Sequence, residues 1–159
     1  MGFTIKSSYA LRALQELASS SEEGTEKLSL SEISRRNNIP RDFLEKIFAE
    51  LREAGFVKSL RGRYGGYILA KKPEEIKLKD VILKLDSPMN SYMCLKSKDE
   101  CEIDPFCAVK YVWLKLYNAM LKELGSMTLK DVVELSKNIK HNAELLRKAS
   151  TPEILGDSG

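Results

Sequence analysis

The feature that most limits the fold of this chain is a pair of helix signals separated by a short turn. Ser29-Leu30-Ser31-Glu32 has the spacing of a capping box and predicts a short helix that runs to about Arg36. The two asparagines that follow end this helix, Pro40 suits the first turn of the next one, and Gly55 suits its C-terminal cap. Two helices joined by a turn of about four residues form a helix-turn-helix.

The segment after this helix pair predicts a β-hairpin. Two runs rich in strand-forming residues, Phe56–Leu60 and Tyr67–Leu69, flank a basic tip with the sequence Arg61-Gly62-Arg63-Tyr64-Gly65-Gly66. The glycine spacing matches neither the dinucleotide-binding motif nor the P-loop, so we do not expect a nucleotide site here. The predicted fold is therefore mainly α-helical with a small β-hairpin wing, a winged helix-turn-helix.

Basic residues are concentrated in the same part of the chain. Residues 35 to 72 hold ten basic and four acidic side chains, an excess of six, whereas the net charge of the whole chain is +3. Overall charge therefore argues neither for nor against a nucleic-acid partner. The local excess favours DNA binding by the helix-turn-helix and the hairpin.

The remaining helices are predicted from the spacing of apolar residues. Ser7 is expected to cap a first helix whose inner face runs from Tyr9 to Ala18, and the polar stretch from Ser19 to Lys27 is expected to end it. Further helices are predicted at 77–85, from residue 106 onwards, and after a cap at Thr128. The helix that follows residue 106 is apolar on many sides, so we expect it to pack against a second copy of itself through Val109, Trp113, Leu116 and Met120.

All three cysteines lie in one short segment before that long helix, at Cys94, Cys101 and Cys107. An odd number of cysteines excludes a complete internal disulfide framework and favours a metal or redox site. The surrounding residues are too polar for three independent core cysteines. Zinc and a bare thiol switch remain alternatives, although zinc ligands usually occur in closer pairs. The only histidine, His141, lies near the polar end of the chain and is expected to be a solvated surface residue.

Several motifs, in this order, resemble the Rrf-type family of bacterial winged-helix transcription regulators. They are Ser8-Tyr9-Ala10-Leu11-Arg12-Ala13-Leu14, Pro40-Arg41-Asp42-Phe43-Leu44-Glu45-Lys46-Ile47-Phe48, Leu51-Arg52-x-Ala54-Gly55-x-Val57-Lys58-Ser59-x-Arg61-Gly62 and Gly65-Gly66-Tyr67. The resemblance covers roughly residues 1 to 138. It implies a homodimer that binds a pseudo-palindromic double-stranded operator, with the long helix forming much of the dimer contact.

Within that family the chain resembles the cysteine-bearing subgroup of IscR, NsrR and RirA. This implies an iron-sulfur cluster, either 2Fe-2S or 4Fe-4S, held by Cys94, Cys101 and Cys107. The fourth ligand departs from these relatives, because Lys110 stands where IscR-like proteins have a histidine and Ser8 matches an aspartate of NsrR-like proteins. Glu102, Asp104, Ser8 of the partner, solvent or a small thiol remain candidates.

The contacts with DNA divide into base reading and backbone binding. Arg41 is expected to pair with guanine and Glu45 with cytosine N4 in the major groove, although Glu45 has the alternative of a helix-surface pair with Lys46 or another neighbour. Phosphate or minor-groove contacts are expected from the wing tip, and backbone contacts from the end of the first helix of the pair. The full predicted set is Arg35, Arg36, Arg41, Asp42, Glu45, Lys46, Arg61, Arg63 and Tyr64.

These observations predict a homodimeric transcription regulator that senses cluster status, redox state or nitric oxide. The alternative is a cluster-free, CymR-like regulator controlled by a protein partner or by thiol oxidation. We expect no enzyme activity, no membrane segment and a cytoplasmic location. The expected organisation is a DNA-binding region at 1–86, a cluster loop at 87–105, the dimerisation helix and the following helix at 106–140, and a polar tail at 141–159.

Overall fold

The fold is mainly helical, as the sequence predicts. A computed structural model describes residues 4–25, 27–86 and 107–141. Within this part of the chain the elements are α1 (Ile5–Glu22), α2 (Leu30–Asn37), α3 (Arg41–Glu53), β1 (Val57–Leu60), β2 (Gly66–Leu69), a short 3-10 turn (Pro73–Glu75), α4 (Leu78–Leu85), α5 (Ala108–Ser126) and α6 (Leu129–His141). No helix of the described residues is both long enough and apolar enough to cross a lipid bilayer.

The helix-turn-helix forms where the sequence predicts it, through α2 and α3. The Ser29 side chain accepts a hydrogen bond from the Glu32 amide, and the Glu32 carboxylate accepts one from the Ser29 amide at 2.8 Å. The Ser29 hydroxyl also donates to this carboxylate at 2.8 Å, and the hydrogen bonds from the Ser29 amide and hydroxyl lower the pKa of Glu32. Asn38 then takes the left-handed conformation, with φ of 51°, and ends α2.

The start of α3 differs by one residue from the prediction, and its end matches. Pro40 precedes the first helical residue, so it lies at the N-cap rather than in the first turn. Gly55 has φ of 76° and follows the last turn, and the amide of Phe56 donates to the carbonyl of Leu51 at 2.9 Å. This is the hydrogen-bond pattern of a Schellman cap, and the positive φ favours glycine at position 55.

The predicted cap and end of α1 were both wrong. Thr4, in an extended conformation, precedes the helix. Ser7 lies inside the first turn, where it is buried and its hydroxyl donates a hydrogen bond to the Asp86 carboxylate. The helix also continues past Ser19 to Glu22. It continues because Ser20 is buried and its hydroxyl accepts a hydrogen bond from Arg36, so tertiary contacts outweigh the weak helix propensity of the serines.

The wing is a two-stranded antiparallel hairpin attached to the start of α2. Val57 pairs with Leu69 and Leu60 pairs with Gly66, which leaves residues 61–65 as the tip. A side chain at Gly65 would place its Cβ only 2.3 Å from the carbonyl oxygen of Leu60, so this turn requires glycine. Leu28 and Tyr67 exchange two backbone hydrogen bonds, of 3.1 and 2.8 Å, which tie the hairpin to the segment before α2.

One hydrophobic core joins the helix-turn-helix and the hairpin to α6. Its buried members come from α1, α2, α3, the hairpin, α4 and α6, and they include Leu14, Ile33, Phe48, Val81, Leu129 and Val133. The amide of Leu78 donates to Met127 and that of Leu129 to Ile76, at 3.1 and 2.8 Å. These hydrogen bonds fix the start of α6 beside the start of α4, so α6 belongs to the same packed body.

Candidate DNA-binding surface and cysteine site

Aromatic contacts from α1 and from the wing help to hold α3 in position. The ring of Tyr9 on α1 meets that of Phe43 edge to face, with centroids 5.6 Å apart. Phe48, fully buried on α3, makes the same kind of contact with Tyr67 of the wing at 4.7 Å. Aromatic pairs of this geometry contribute about 0.5–1.5 kcal/mol beyond their buried area. The helix is therefore held near its start and at its middle while its other face stays open.

The open face of α3 carries the predicted base-reading residues. Arg41, Asp42, Glu45 and Lys46 are all exposed. Arg41 is already engaged within the protein, because its Nε lies 3.2 Å from Glu45 Oε1 and its Nη1 lies 3.1 Å from Ser31 Oγ. The structure therefore pairs Glu45 with Arg41, one turn earlier, rather than with Lys46.

The ion pair between Arg41 and Glu45 does not compete strongly with DNA. Both side chains remain more than half exposed, at 60 % and 52 %. An exposed pair at this helical spacing contributes about 0.3–0.5 kcal/mol, whereas a good bidentate base contact contributes about 1–3 kcal/mol. The pair orients both side chains over the surface and can open when a base replaces it.

Two residues near these side chains escaped the sequence analysis. Ala49 is exposed on α3 one turn beyond Glu45, so a methyl group lies on the outer face of the helix. Ser31 holds the guanidinium of Arg41 from α2. Ala49 lies four residues after Glu45, so helical spacing could have identified it. The contact with Ser31 could not be predicted in this way, because it depends on the packing of α2 against α3.

The two arginines at the end of α2 have different surroundings. Arg35 is exposed. Arg36 faces α1, where its Nη1 lies 2.8 Å from Glu16 Oε1 and 3.2 Å from Ser20 Oγ. The hydrogen bond to Glu16 raises the pKa of Arg36. Arg36 therefore fastens α2 to α1, and its predicted contact with DNA backbone stays a prediction.

The wing tip presents three exposed side chains, Arg61, Arg63 and Tyr64, the last of them 76 % exposed. Gly62, with φ of 119°, accepts a hydrogen bond of 2.9 Å from the amide of Gly65 and closes the turn. Within the described residues, neither tip arginine forms an ion pair. Their charges are thus available to phosphate groups.

Only one of the three predicted cysteine ligands falls in the described part of the chain. Cys107 is half-buried and immediately precedes α5, where its carbonyl accepts a hydrogen bond from the amide of Lys110 at 3.2 Å. Cys94 and Cys101 lie outside the described residues, as do Glu102 and Asp104. Ser8 is exposed in the first turn of α1. The ligand set therefore stays a prediction.

The long helix α5 buries none of its residues within one protomer. Of the predicted dimer contacts, Trp113 and Met120 are half-buried, whereas Val109 and Leu116 are 56 % and 44 % exposed. Tyr111 and Val112 add to the exposed apolar surface. A run of large apolar side chains left in water along one helix is typical of a surface that another chain covers.

Comparison with known proteins places this geometry in one family. Residues 3–135 match the model of the Rrf2 family, described as iron-dependent transcriptional regulators. The HTH-type transcriptional regulator IscR of Photorhabdus laumondii is 33 % identical over 133 residues, covering 84 % of this chain and 79 % of that protein. The HTH-type transcriptional regulator CymR of Bacillus subtilis is 34 % identical over 132 residues, with 83 % and 89 % covered.

Solved structures agree with the sequence matches. The structure of B. subtilis CymR, the global cysteine regulator of that organism, superposes with a TM-score of 0.69 at 32 % identity and covers 85 % of this chain and 98 % of its own. T. potens IscR superposes with a TM-score of 0.67 at 31 % identity, with 100 % and 94 % covered. The winged helix-turn-helix fold predicted from the sequence is thereby confirmed.

Proposed function

The chain belongs to the Rrf2 family of DNA-binding transcription regulators, and we propose that an iron-sulfur cluster bound by Cys94, Cys101 and Cys107 sets its affinity for DNA. It is a regulator and not an enzyme. The observation that carries the proposal is the grouping of all three cysteines in one polar segment that ends at the first residue before α5. The iron dependence of regulators in this family supports it.

The chemistry of the three donors fits such a cluster. Thiolates are the soft ligands that iron-sulfur clusters require, and three of them within fourteen residues, the last at the start of α5, can surround one cluster. When bound, the cluster supplies a charge and redox state that vary with iron, oxygen or nitric oxide. The residues of the chain supply the thiolates and anchor both ends of the cysteine-bearing segment, at α4 and at α5.

The proposed contacts with DNA follow from exposure and charge. Arg61, Arg63 and Tyr64 meet phosphates or the minor groove, and Arg35 and Lys46 add backbone contacts. Arg41 reads guanine, Glu45 accepts from cytosine N4, and the methyl group of Ala49 packs against a thymine methyl. Phosphate contacts supply affinity and base contacts supply specificity.

The proposed active form is a homodimer built on α5. Its exposed apolar side chains, including Val109 and Leu116, support a second copy as the covering partner. Two copies related by a two-fold axis would present two copies of α3 to two half-sites of a pseudo-palindromic operator. Cluster binding then shifts the population between dimer arrangements that differ in the spacing of the two copies of α3.

A second candidate function is control without a cluster. The likeness to CymR is as close as the likeness to IscR, with TM-scores of 0.69 and 0.67. In this alternative a protein partner or oxidation of the thiols changes the affinity for DNA. The two functions differ in whether iron and inorganic sulfide accompany the protein.

Anaerobic purification tests the proposal. We expect a brown protein with visible absorption, and iron and sulfide in near-stoichiometric amounts. Replacing Cys94, Cys101 or Cys107 by alanine should remove most of the iron while leaving helix content unchanged. Ser97→Ala, in the same segment but without a thiol, is the matched control and should keep its iron. Full iron in all three cysteine variants would contradict the ligand assignment.

A further inference from the structure

Asp86 joins the end of α4 to the start of α1. Its carboxylate accepts hydrogen bonds from the Thr4 hydroxyl at 2.7 Å, from the Thr4 amide at 3.3 Å and from the Ser7 hydroxyl. Ser7 is only 1 % exposed, so its hydroxyl depends on this carboxylate for a partner. The negative charge also lies at the N-terminal end of a helix, where the helix dipole favours it.

A second set of contacts, made by Lys6 beside Asp86, reaches α3. Lys6 Nζ lies 3.1 Å from the carbonyl oxygen of Leu85, at the last residue of α4. The same ammonium group lies 2.7 Å from Glu50 Oε2 on α3. Lys6 is 28 % exposed in its side chain and Glu50 is 39 % exposed. One cation therefore bridges the carbonyl end of α4 and Glu50 on α3.

These contacts stand at the boundary of the cysteine-bearing segment. The chain passes directly from Asp86 into residues 87–106, which carry two of the three cysteines. Asp86 is anchored to α1, and α1 holds α3 through the Tyr9 and Phe43 rings and through the bridge from Lys6 to Glu50. A displacement of Leu85 and Asp86 therefore changes the contacts of Thr4, Ser7 and Lys6 together.

We infer that Asp86 is a positioning residue that transmits the state of the cysteine-bearing segment to α3 through the first turn of α1. This inference rests on the proposed function, because it assumes that this segment has two states. An effector shifts such an equilibrium only through contacts that differ between the states. The Asp86 carboxylate is that contact: in one state it holds Thr4 and Ser7, and in the other it releases them.

The test compares operator affinity in the cluster-loaded and cluster-free forms of the full-length protein. Wild type should show a ratio of affinities within the range of about 5–150-fold that is typical of allosteric coupling. Asp86→Ala should load its cluster normally and bring the ratio to less than about one third of the wild-type value. Lys6→Met, which keeps the aliphatic stem and removes both polar contacts, should reduce the ratio in the same direction.

Asp80→Ala is the matched control, because it removes an exposed carboxylate from the first turn of the same helix. It should keep the wild-type ratio. An unchanged ratio in Asp86→Ala overturns the inference. So does an Asp86→Ala protein that folds but cannot hold a cluster, because Asp86 would then act in cluster loading rather than in transmission.

Amide hydrogen exchange on the cluster-free protein separates the inference from the proposed function. Asp86→Ala should speed exchange in the first turn of α1 and in the C-terminal half of α3, around Glu50. Faster exchange in α1 alone would show that no coupling reaches α3 and would overturn the inference. Wild-type protein without any cluster would contradict the proposed function, and the exchange pattern would still decide whether Asp86 is linked to α3.

Discussion

The wing tip should control the salt dependence of DNA binding. Arg61 and Arg63 are exposed on either side of Gly62, and a tight turn between Gly62 and Gly65 fixes the tip. Each phosphate that a protein neutralises contributes ~0.9 to the slope of log K against log salt. Two arginines in each subunit of a dimer would make up to four such contacts, so alanine at both positions should flatten the slope by roughly 3 to 4.

This change in slope is large enough to measure without ambiguity. Between about 50 and about 200 mM salt, wild type should lose roughly 100-fold more affinity than the double variant. The assay is a fluorescence-anisotropy titration on operator and scrambled duplexes at several salt concentrations. Because phosphate contacts carry no sequence information, the ratio between operator and scrambled affinities should stay the same.

A control variant separates the wing from general charge. Lys84→Ala with Lys130→Ala removes the same charge from exposed positions outside α2, α3 and the hairpin. We expect this control to flatten the slope much less than the wing variant. Equal slopes for the two double variants would refute the assignment of phosphate contacts to the wing. A wing variant that loses discrimination between the two duplexes would show that the tip reads bases.

Three other measurements test different parts of the proposal. Arg41→Ala should lower discrimination at one position of each half-site by about 1–3 kcal/mol while leaving the salt slope nearly unchanged, and a panel of single-base operator variants would show this. Leu116→Asp should convert a dimer of twice 18.0 kDa into a monomer in sedimentation, because it places a charge on the exposed apolar face of α5; a wild-type monomer at micromolar concentration would contradict the dimer. The pKa of Glu32 is lowered in the folded state, so its stabilising effect is present above its ordinary value of 4.5 and is lost as the pH falls below that. Glu32→Gln should therefore weaken the dependence of stability on pH in chemical denaturation between about pH 5 and pH 3, and an unchanged profile would show that ionisation of Glu32 contributes nothing to stability.

Sequence patterns predicted the DNA-binding elements well because their signals are local. The capping box of Ser29 and Glu32, the left-handed Asn38 and the Schellman cap at Gly55 depend on residues within one or two turns. The hairpin likewise depends on a glycine-rich tip between two short strands. Motifs of this kind favour one conformation through interactions among their own residues.

The two wrong predictions at α1 arose because serines there bind residues that are distant in the sequence. Ser7 has the side chain of a helix cap, yet its hydroxyl is used by Asp86, a residue 79 positions away along the chain. The serines near the end of α1 look like a helix stop, yet the helix continues because Ser20 meets Arg36 from α2. Serine favours caps and turns only where its hydroxyl has no hydrogen-bond partner from a distant part of the chain. The sequence does not reveal such a partner.

Contacts between charged residues also depend on distant packing. The predicted contact of Arg36 with the DNA backbone stays a prediction, and the sequence did not reveal that packing places its guanidinium on Glu16. Arg41 and Glu45 are separated by one helical turn, so their ion pair was within reach of a spacing argument. The apolar stripe predicted for α5 is present as exposed and half-buried side chains, and its coverage by a second copy stays a prediction.

The packing gives α1 a larger role in operator recognition than its place outside the helix-turn-helix suggests. Glu16 holds α2 through Arg36, Gln15 donates to Ser136 of α6 at 2.8 Å, and Glu22 pairs with Lys137 of the same helix at 2.5 Å. The first turn of α1 contacts α3 and the end of α4. Because α6 follows α5 directly, a rearrangement of the proposed dimer helix and a change at Asp86 both act on α1. In the proposed complex, the orientation of α3 towards DNA is therefore set by a helix that need not touch DNA itself.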